Sequence, residues 1–183
     1  IFKGSQIDSR CSVVPLEIVF ADISFEEKNN HYKEAMIDLG STVMAKALEQ
    51  ANLRATDIDY IITTSCTGFM IPSVDAYIIN KLGMRQDIMR LPVTEMGCAG
   101  GTSGLIYAYQ FLKSNPGKKV ALVSVETPSV TFQKGDLSPE NLVSTAIFAD
   151  GASCVILGDT HEVKPRITDV AMYHFPHATH LMG

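Results

Sequence analysis

The sequence predicts an α/β protein with a mainly parallel central sheet covered by helices. Two observations support this class. Short apolar runs rich in β-branched residues alternate along the chain with helical patterns, and one of these runs is continuously apolar. The chain has 183 residues, of which 46% are hydrophobic and 19% are charged. That length and composition are typical of one globular domain with a real core.

The first half of the chain contains two helical patterns and two strand patterns. Apolar residues recur at helical spacing across 30–50. The run 58–62 is short, apolar and β-branched, which is typical of a strand. Ser73 is placed to cap a helix that ends at Gly83, and 88–93 is a second strand pattern.

The second half continues the alternation. Residues 98–113 predict a helix of small residues that is rich in glycine at its start. Residues 119–125 are apolar after two lysines, which suits a strand buried on both faces. Ser138 and the proline and glutamate after it predict the start of a helix that ends near Phe148. Two further strands are predicted, at 152–157 and 167–173.

Charge and cysteine usage exclude several classes of protein. The net charge is −5 and no run of lysine or arginine appears, so a nucleic-acid partner is not expected. No apolar run approaches the length that spans a bilayer, and no signal peptide pattern opens the chain. The four cysteines are scattered without a CxxC pair. We therefore expect a soluble cytoplasmic protein with reduced thiols and no membrane contact.

Cys98 lies where a predicted strand passes into a predicted helix. The free amides and the dipole of a helix N-terminus stabilise a thiolate, which is the reactive form of cysteine. Flanking glycines let an acyl thioester approach the backbone and permit a strained turn. A small cysteine buried in a tightly packed helix is the alternative, and the pattern alone leaves both open.

Six short motifs lie around Cys98 or include it. They are TTSCTGFMIPS at 63–73, NKLGMR at 80–85, GCAGG at 97–101, SVET at 124–127, VTF at 130–132 and FADGA at 148–152. Together they resemble the chalcone synthase superfamily, and within it the bacterial and fungal type III polyketide synthases. The resemblance implies a thiolase-like fold, of which residues 1–183 form the amino-terminal half, a first βαβαβ-type half. The carboxy-terminal half would be absent from this chain.

The resemblance also implies a reaction. Cys98 would take an acyl starter from acyl-CoA, and malonyl-CoA would lose carbon dioxide to give an enolate that attacks the Cys98 thioester in a Claisen condensation. The resulting polyketide would then cyclise. Holding the chain on cysteine splits one hard acyl transfer into two easier ones. CoA thioesters are the substrates, with no further cofactor and no metal. The family's partner histidine and asparagine would lie beyond Gly183, so this piece alone is expected to be inactive.

Five further residues are candidate substrate-binding positions by resemblance. Phe148 would be an aromatic gatekeeper beside the cavity, or else a core aromatic at a helix end. Glu126 would join a hydrogen-bond network near the cavity, or else be a carboxylate at a strand end. Thr131 would line the cavity. Ile71 lies in a loop that reaches toward a neighbouring subunit in family members, which implies a homodimer. Cys66 would line the cavity as a hydrogen-bond partner or a thiolate, or else be packing.

Several alternatives stay open at this point. A class III ketosynthase that carries out one condensation with a carrier-protein substrate has the same general plan. If the native chain ended here, a non-catalytic half would be the third possibility. His174, His177 and His180 have metal-like spacing, but Pro176 interrupts any helix that would align them, which favours a solvated loop. Asp150 is expected to hold a turn. The starter, the number of extensions and the cyclisation mode are not readable from the sequence.

Overall fold

A four-stranded mixed sheet forms the centre of the chain. The computed structural model describes residues 2–159 and 165–178. The strands are β1 (Tyr60–Thr64), β2 (Met89–Val93), β3 (Lys119–Glu126) and β4 (Gly151–Gly158), in the spatial order β2-β1-β3-β4. β1 pairs in parallel with β2 and β3, while β4 runs antiparallel to β3. The predicted α/β class with a mainly parallel sheet is confirmed.

Helices cover both faces of the sheet. Those in the described residues are α1 (Phe2–Ser5), α2 (Leu16–Val19), α3 (Phe25–Ala51), α4 (Val74–Leu82), α5 (Gly100–Ser114) and α6 (Pro139–Ile147). Successive side chains of a strand point to opposite faces, so Ile61 packs with α3 and α4, and Ile62 packs with α5. β1 is buried along its whole length because both faces are covered in this way.

The helix α3 begins earlier than the apolar pattern predicts. Ser24 accepts a hydrogen bond from the backbone N–H of Glu27, and the Glu27 carboxylate accepts one from the backbone N–H of Ser24. This reciprocal capping box fixes the first turn, which the apolar stripe from residue 30 onward does not record. The chain leaves α3 through Asn52 in the left-handed conformation, near the predicted end.

Other boundaries differ in smaller ways. The first strand starts at Tyr60 rather than at residue 58, because residues 55–57 form a 3₁₀ turn that Ile58 closes. Ser73 occupies the N-cap position of α4 without capping it, since its hydroxyl binds the Asp75 carboxylate instead. Ser138 does cap α6, and accepts a hydrogen bond from the Asn141 N–H at 3.3 Å.

The strand predicted at 167–173 is wrong. These residues are irregular, and no strand of the described sheet pairs with them. Two hydrogen bonds of the segment are local or with a helix: Val170 donates its N–H to the side chain of Asp169, and the Tyr109 hydroxyl of α5 donates to the Thr168 carbonyl. A β-branched run without a ladder partner does not become a strand.

The helix α5 approaches the sheet very closely. A Cβ atom built on Gly104 would lie 2.4 Å from the Cδ1 atom of Leu122, and one on Gly100 would lie 3.3 Å from the Cβ atom of Thr64. The glycines therefore set the distance between α5 and strands β1 and β3. No helix within the described residues is long and apolar enough to cross a membrane.

Candidate active site

The carboxyl ends of the parallel strands β1, β2 and β3 meet at one edge of the sheet. Two segments leave this edge side by side. The first, here called the cavity loop, is residues 65–73 and follows β1. The second, here called the cysteine segment, is residues 94–99 and joins β2 to α5. In open α/β sheets this edge is where ligands bind, so both segments are candidates for functional residues.

Cys98 lies in the cysteine segment, within a 3₁₀ turn at Gly97–Ala99 that leads directly into α5. Gly97 has φ of 50°, in the left-handed region that favours glycine. This residue turns the chain from the strand direction into the helix. The Cys98 side chain is exposed.

Cys66 and Glu126 are brought together by the pairing of β1 with β3. Both oxygens of the Glu126 carboxylate accept the backbone N–H of Cys66, at 3.0 and 3.1 Å. One residue further along, the Thr127 N–H donates to the Thr67 hydroxyl at 3.0 Å. These two contacts continue the connection between the strands beyond the last ladder pair and fix the start of the cavity loop.

Cys66 is an exposed residue whose surroundings favour the neutral form of its thiol. Burial, then the negative charge of Glu126, and also the charge of a Cys98 thiolate raise the pKa of Cys66 to about 11. Of the two chemical roles proposed for this thiol, the neutral hydrogen-bond partner therefore agrees better with its surroundings than the thiolate.

A cavity of about 560 Å³ opens beside these residues. Its lining includes Tyr32 and Met36 from α3, Cys66 to Ile71 of the cavity loop except Thr67, and Thr94, Glu95 and Gly97 of the cysteine segment. Ile71 is 81% exposed at this site. The cavity therefore joins the two segments that carry Cys66 and Cys98.

Phe148 and Thr131 lie elsewhere. They line a separate cavity of about 270 Å³ between α2, α6 and the 3₁₀ turn at Pro128–Thr131. Phe148 follows α6 and is 44% exposed. The Thr131 hydroxyl donates to the Pro128 carbonyl at 2.9 Å and so stabilises its own turn. The described chain thus divides the predicted site residues between two cavities.

Asp150 lies beside this second cavity and binds residues distant in sequence, whereas the sequence predicts that it holds the turn after α6. Its buried carboxylate accepts the N–H of Val13 at 2.6 Å and the N–H of Ser129 at 2.8 Å. Its own backbone N–H donates to the Cys11 carbonyl at 3.0 Å. These bonds join the start of β4 to the chain before α2.

Two residues of α3 contribute to this site but were not predicted from the sequence. Tyr32 is 4% exposed and lines the cavity of about 560 Å³, the larger of the two described above. Its hydroxyl donates a hydrogen bond to the Ser65 hydroxyl at 3.2 Å. Asn29, on the same face of the helix, binds both backbone polar groups of Phe69. Their spacing of three residues on one helix face was the available signal, but nothing in the sequence shows what that face contacts.

The histidine cluster is only partly described. His174 and His177 are exposed, and His180 lies outside the described residues. Across residues 2–159 and 165–178, no group of three or more histidine, cysteine or acidic side chains is arranged to hold a metal ion.

Comparisons with known proteins support one family. Residues 16–161 match the family described as chalcone and stilbene synthases, N-terminal domain. The chain is 34% identical to a 1,3,6,8-tetrahydroxynaphthalene synthase from Streptomyces peucetius subsp. caesius, over 100% of the chain and 50% of that relative. It is 29% identical to a phloroglucinol synthase from Pseudomonas fluorescens, over 98% of the chain and 52% of that relative.

The fold agrees with these relatives. The structure of 1,3,6,8-tetrahydroxynaphthalene synthase from Streptomyces coelicolor A3(2), a bacterial type III polyketide synthase, matches with a TM-score of 0.92 and 30% identity, over 97% of this chain and 51% of that one. The predicted thiolase-like fold is thereby confirmed. The chain spans about half the length of the curated relatives it matches. The match of residues 16–161 to the family shows that the chain belongs to the chalcone and stilbene synthases and carries their N-terminal domain.

Proposed function

We propose that the full-length protein is a type III polyketide synthase, an acyltransferase that condenses an acyl-CoA starter with malonyl-CoA units and cyclises the product. The observation that carries the proposal is the position of Cys98. Its exposed thiol precedes α5 by two residues, and the preceding residue, Gly97, lines the cavity that Cys66 also lines. A helix N-terminus favours negative charge, and an adjoining cavity gives room for a thioester-bound chain.

The proposed reaction proceeds in two covalent steps. The Cys98 thiolate attacks the carbonyl carbon of the acyl-CoA, and the CoA thiolate leaves, so that one thioester replaces another. Malonyl-CoA then loses carbon dioxide, and the enolate electron pair forms a carbon–carbon bond to the Cys98 thioester, expelling the Cys98 thiolate. The chain is now two carbons longer and again a CoA thioester, ready to return to Cys98. By the family resemblance, the activating histidine and asparagine belong to the second half of such enzymes.

Cys66 and Glu126 take part by shaping the cavity rather than by forming covalent bonds to the substrate. A neutral thiol is a weak donor and acceptor, suited to a β-keto oxygen. Glu126 fixes the backbone from which that thiol projects. Phe148 and Thr131, which line the second cavity, are the proposed entrance for the CoA thioester.

A homodimer is part of the same proposal. Phe69 and Ile71 of the cavity loop are 64% and 81% exposed, and Met96 of the cysteine segment is 37% exposed. Large apolar side chains grouped in this way at a cavity mouth favour burial against another subunit. The cytoplasm is the proposed location, since four dispersed free cysteines suit a reducing compartment.

The test is acyl loading of the full-length protein. Incubation with acyl-CoA should add one acyl mass to the wild-type protein, and Cys98→Ala should abolish both this adduct and the turnover of malonyl-CoA. The matched control is Cys154→Ala, which removes another free cysteine that lines neither of the two cavities. An adduct that persists in Cys98→Ala would contradict the assignment. Turnover with malonyl-carrier protein but not with malonyl-CoA would instead indicate a ketosynthase.

A further inference from the structure

The larger cavity is lined at the α3 side by two buried side chains, Tyr32 and Met36. They are 4% and 1% exposed. A spacing of four residues puts both on the same face of α3, one turn apart. The Tyr32 hydroxyl reaches Ser65, immediately before Cys66, at 3.2 Å. The aromatic ring is thus the wall of the cavity that adjoins the second thiol.

The Tyr32 ring is fixed in place by the cavity loop. A Cβ atom built on Gly68 would lie 2.3 Å from Cγ and 2.5 Å from both Cδ atoms of the ring. Those distances are far below van der Waals contact, so the backbone of the loop lies directly against the ring. The ring therefore cannot tilt toward the loop to enlarge the cavity.

The loop, in turn, is fixed to α3. Asn29 donates its side-chain N–H to the Phe69 carbonyl at 2.8 Å and accepts the Phe69 N–H at 3.0 Å. This pair of bonds satisfies both polar groups of one loop residue from a single side chain. Because Asn29 and Tyr32 belong to one helix, the loop and the ring are held as one unit.

We propose that Tyr32 is a specificity-determining residue, which closes the cavity beside Cys66 and limits the length of acyl chain that a thioester on Cys98 can place there. This inference rests on the proposed function. A ring held between a fixed helix and a fixed loop is a rigid end wall, and a chain longer than the cavity meets it. Replacement by a smaller aliphatic side chain deepens the cavity on the α3 side.

The test compares starters of increasing length in the full-length protein. We expect Tyr32→Leu to raise kcat/KM for octanoyl-CoA to dodecanoyl-CoA relative to acetyl-CoA by about tenfold or more, the discrimination that a methylene commonly has in an apolar pocket. Tyr32→Phe keeps the ring and loses only the hydroxyl, so its length profile should match that of the wild type.

Tyr60→Leu is the matched control. Tyr60 is also a buried tyrosine, 8% exposed, but it starts β1 and packs against Phe111 of α5, at the strand end opposite the cavity. Its loss should lower stability without changing the ratio of long to short starters. An unchanged ratio in folded Tyr32→Leu would overturn the proposal, and so would an equal shift in Tyr60→Leu.

A measurement on the wild type covers the case in which Tyr32→Leu does not fold. Acyl-CoA carrying a diazirine at the chain terminus is loaded on the protein and irradiated, and the cross-linked peptide is mapped. We expect the label on Tyr32 or Met36; a label confined to other residues would refute the proposal. Absence of any loading on Cys98 would be a different result, the failure of the proposed function itself.

Discussion

The cavity loop and the cysteine segment leave the same edge of the sheet but are held in place by different kinds of contact. The cavity loop is fixed by side chains from other elements: Asn29 and Tyr32 of α3, and Glu126 at the end of β3. The cysteine segment is held by backbone hydrogen bonds of its own turn, from the Ala99 N–H to the Met96 carbonyl and from the Gly100 N–H to the Gly97 carbonyl. Its position follows from the close packing of α5 against the sheet.

The difference in contacts corresponds to two proposed roles, the placement of Cys98 and the shaping of the cavity wall. Cys98, the proposed nucleophile, is positioned by the close approach of α5 to the sheet, which allows little variation because a side chain at Gly104 would meet that of Leu122. The wall of the cavity is placed by polar side chains and one aromatic ring, which can change without moving the helix that follows Cys98. We infer that substitutions in α3 alter which acyl chain is accepted more readily than they alter acyl transfer itself.

The largest effect is expected for Gly68→Ala in the cavity loop. The added methyl group would overlap the Tyr32 ring, at 2.3 Å from its Cγ atom, and the ring is buried. Overpacking of this kind costs about 1–3 kcal/mol of the free energy of unfolding, measured by chemical denaturation of the full-length protein.

A double-mutant cycle identifies the cause. In the Tyr32→Leu background the same Gly68→Ala change should cost clearly less, because the overlapping ring is gone. An equal cost in both backgrounds would mean that the methyl group meets something other than the ring. The cavity loop would then not be held by contact with Tyr32, and its contrast with the cysteine segment would weaken.

In the cysteine segment, Gly97→Ala should have a smaller effect with a different cause. A Cβ atom at Gly97 meets nothing within 4 Å, so no overlap is expected. The residue has φ of 50°, however, and a left-handed conformation costs a residue with a Cβ atom about 1–2 kcal/mol. Acyl loading of Cys98 should slow as well, since the next residue is displaced. Full stability with full loading would show that the turn tolerates a side chain.

Much of the fold was predictable because it depends on local patterns. The continuously apolar run of β3 and the proline-containing start of α6 both appear where the sequence places them. The run 167–173 failed because composition cannot show whether a partner strand is available.

The site was predictable only in part, for a related reason. Cys98 stands out through its glycine-rich surroundings, which are local. The contact between Glu126 and Cys66 depends on the register of β1 against β3, in which Thr64 lies opposite Ser124. No pattern within either segment reveals that register. The contacts of Tyr32 with Gly68 and Ser65 are likewise between elements distant in sequence, so they became visible only in the folded chain.

The smallest effect concerns the reactivity of the Cys66 thiol. Its pKa is raised to about 11 by burial first and by Glu126 second. A raised thiol pKa means less thiolate below that pH, so alkylation of wild-type Cys66 by iodoacetamide should be slow at about pH 8 and rise about tenfold per pH unit until the pKa is reached.

Glu126→Gln removes the nearby negative charge and should lower the pKa of Cys66. The thiolate fraction, and with it the alkylation rate at about pH 8, should then increase by less than about tenfold, because burial remains. Cys154 is the control within the same molecule, since burial alone raises its pKa to about 12. Peptide mass mapping follows both thiols at once. Faster alkylation of Cys66 with Cys154 unchanged would support direct repulsion by the carboxylate. An equal increase at both would indicate general loosening of the sheet. Glu126 would then act on Cys66 only by accepting its backbone N–H.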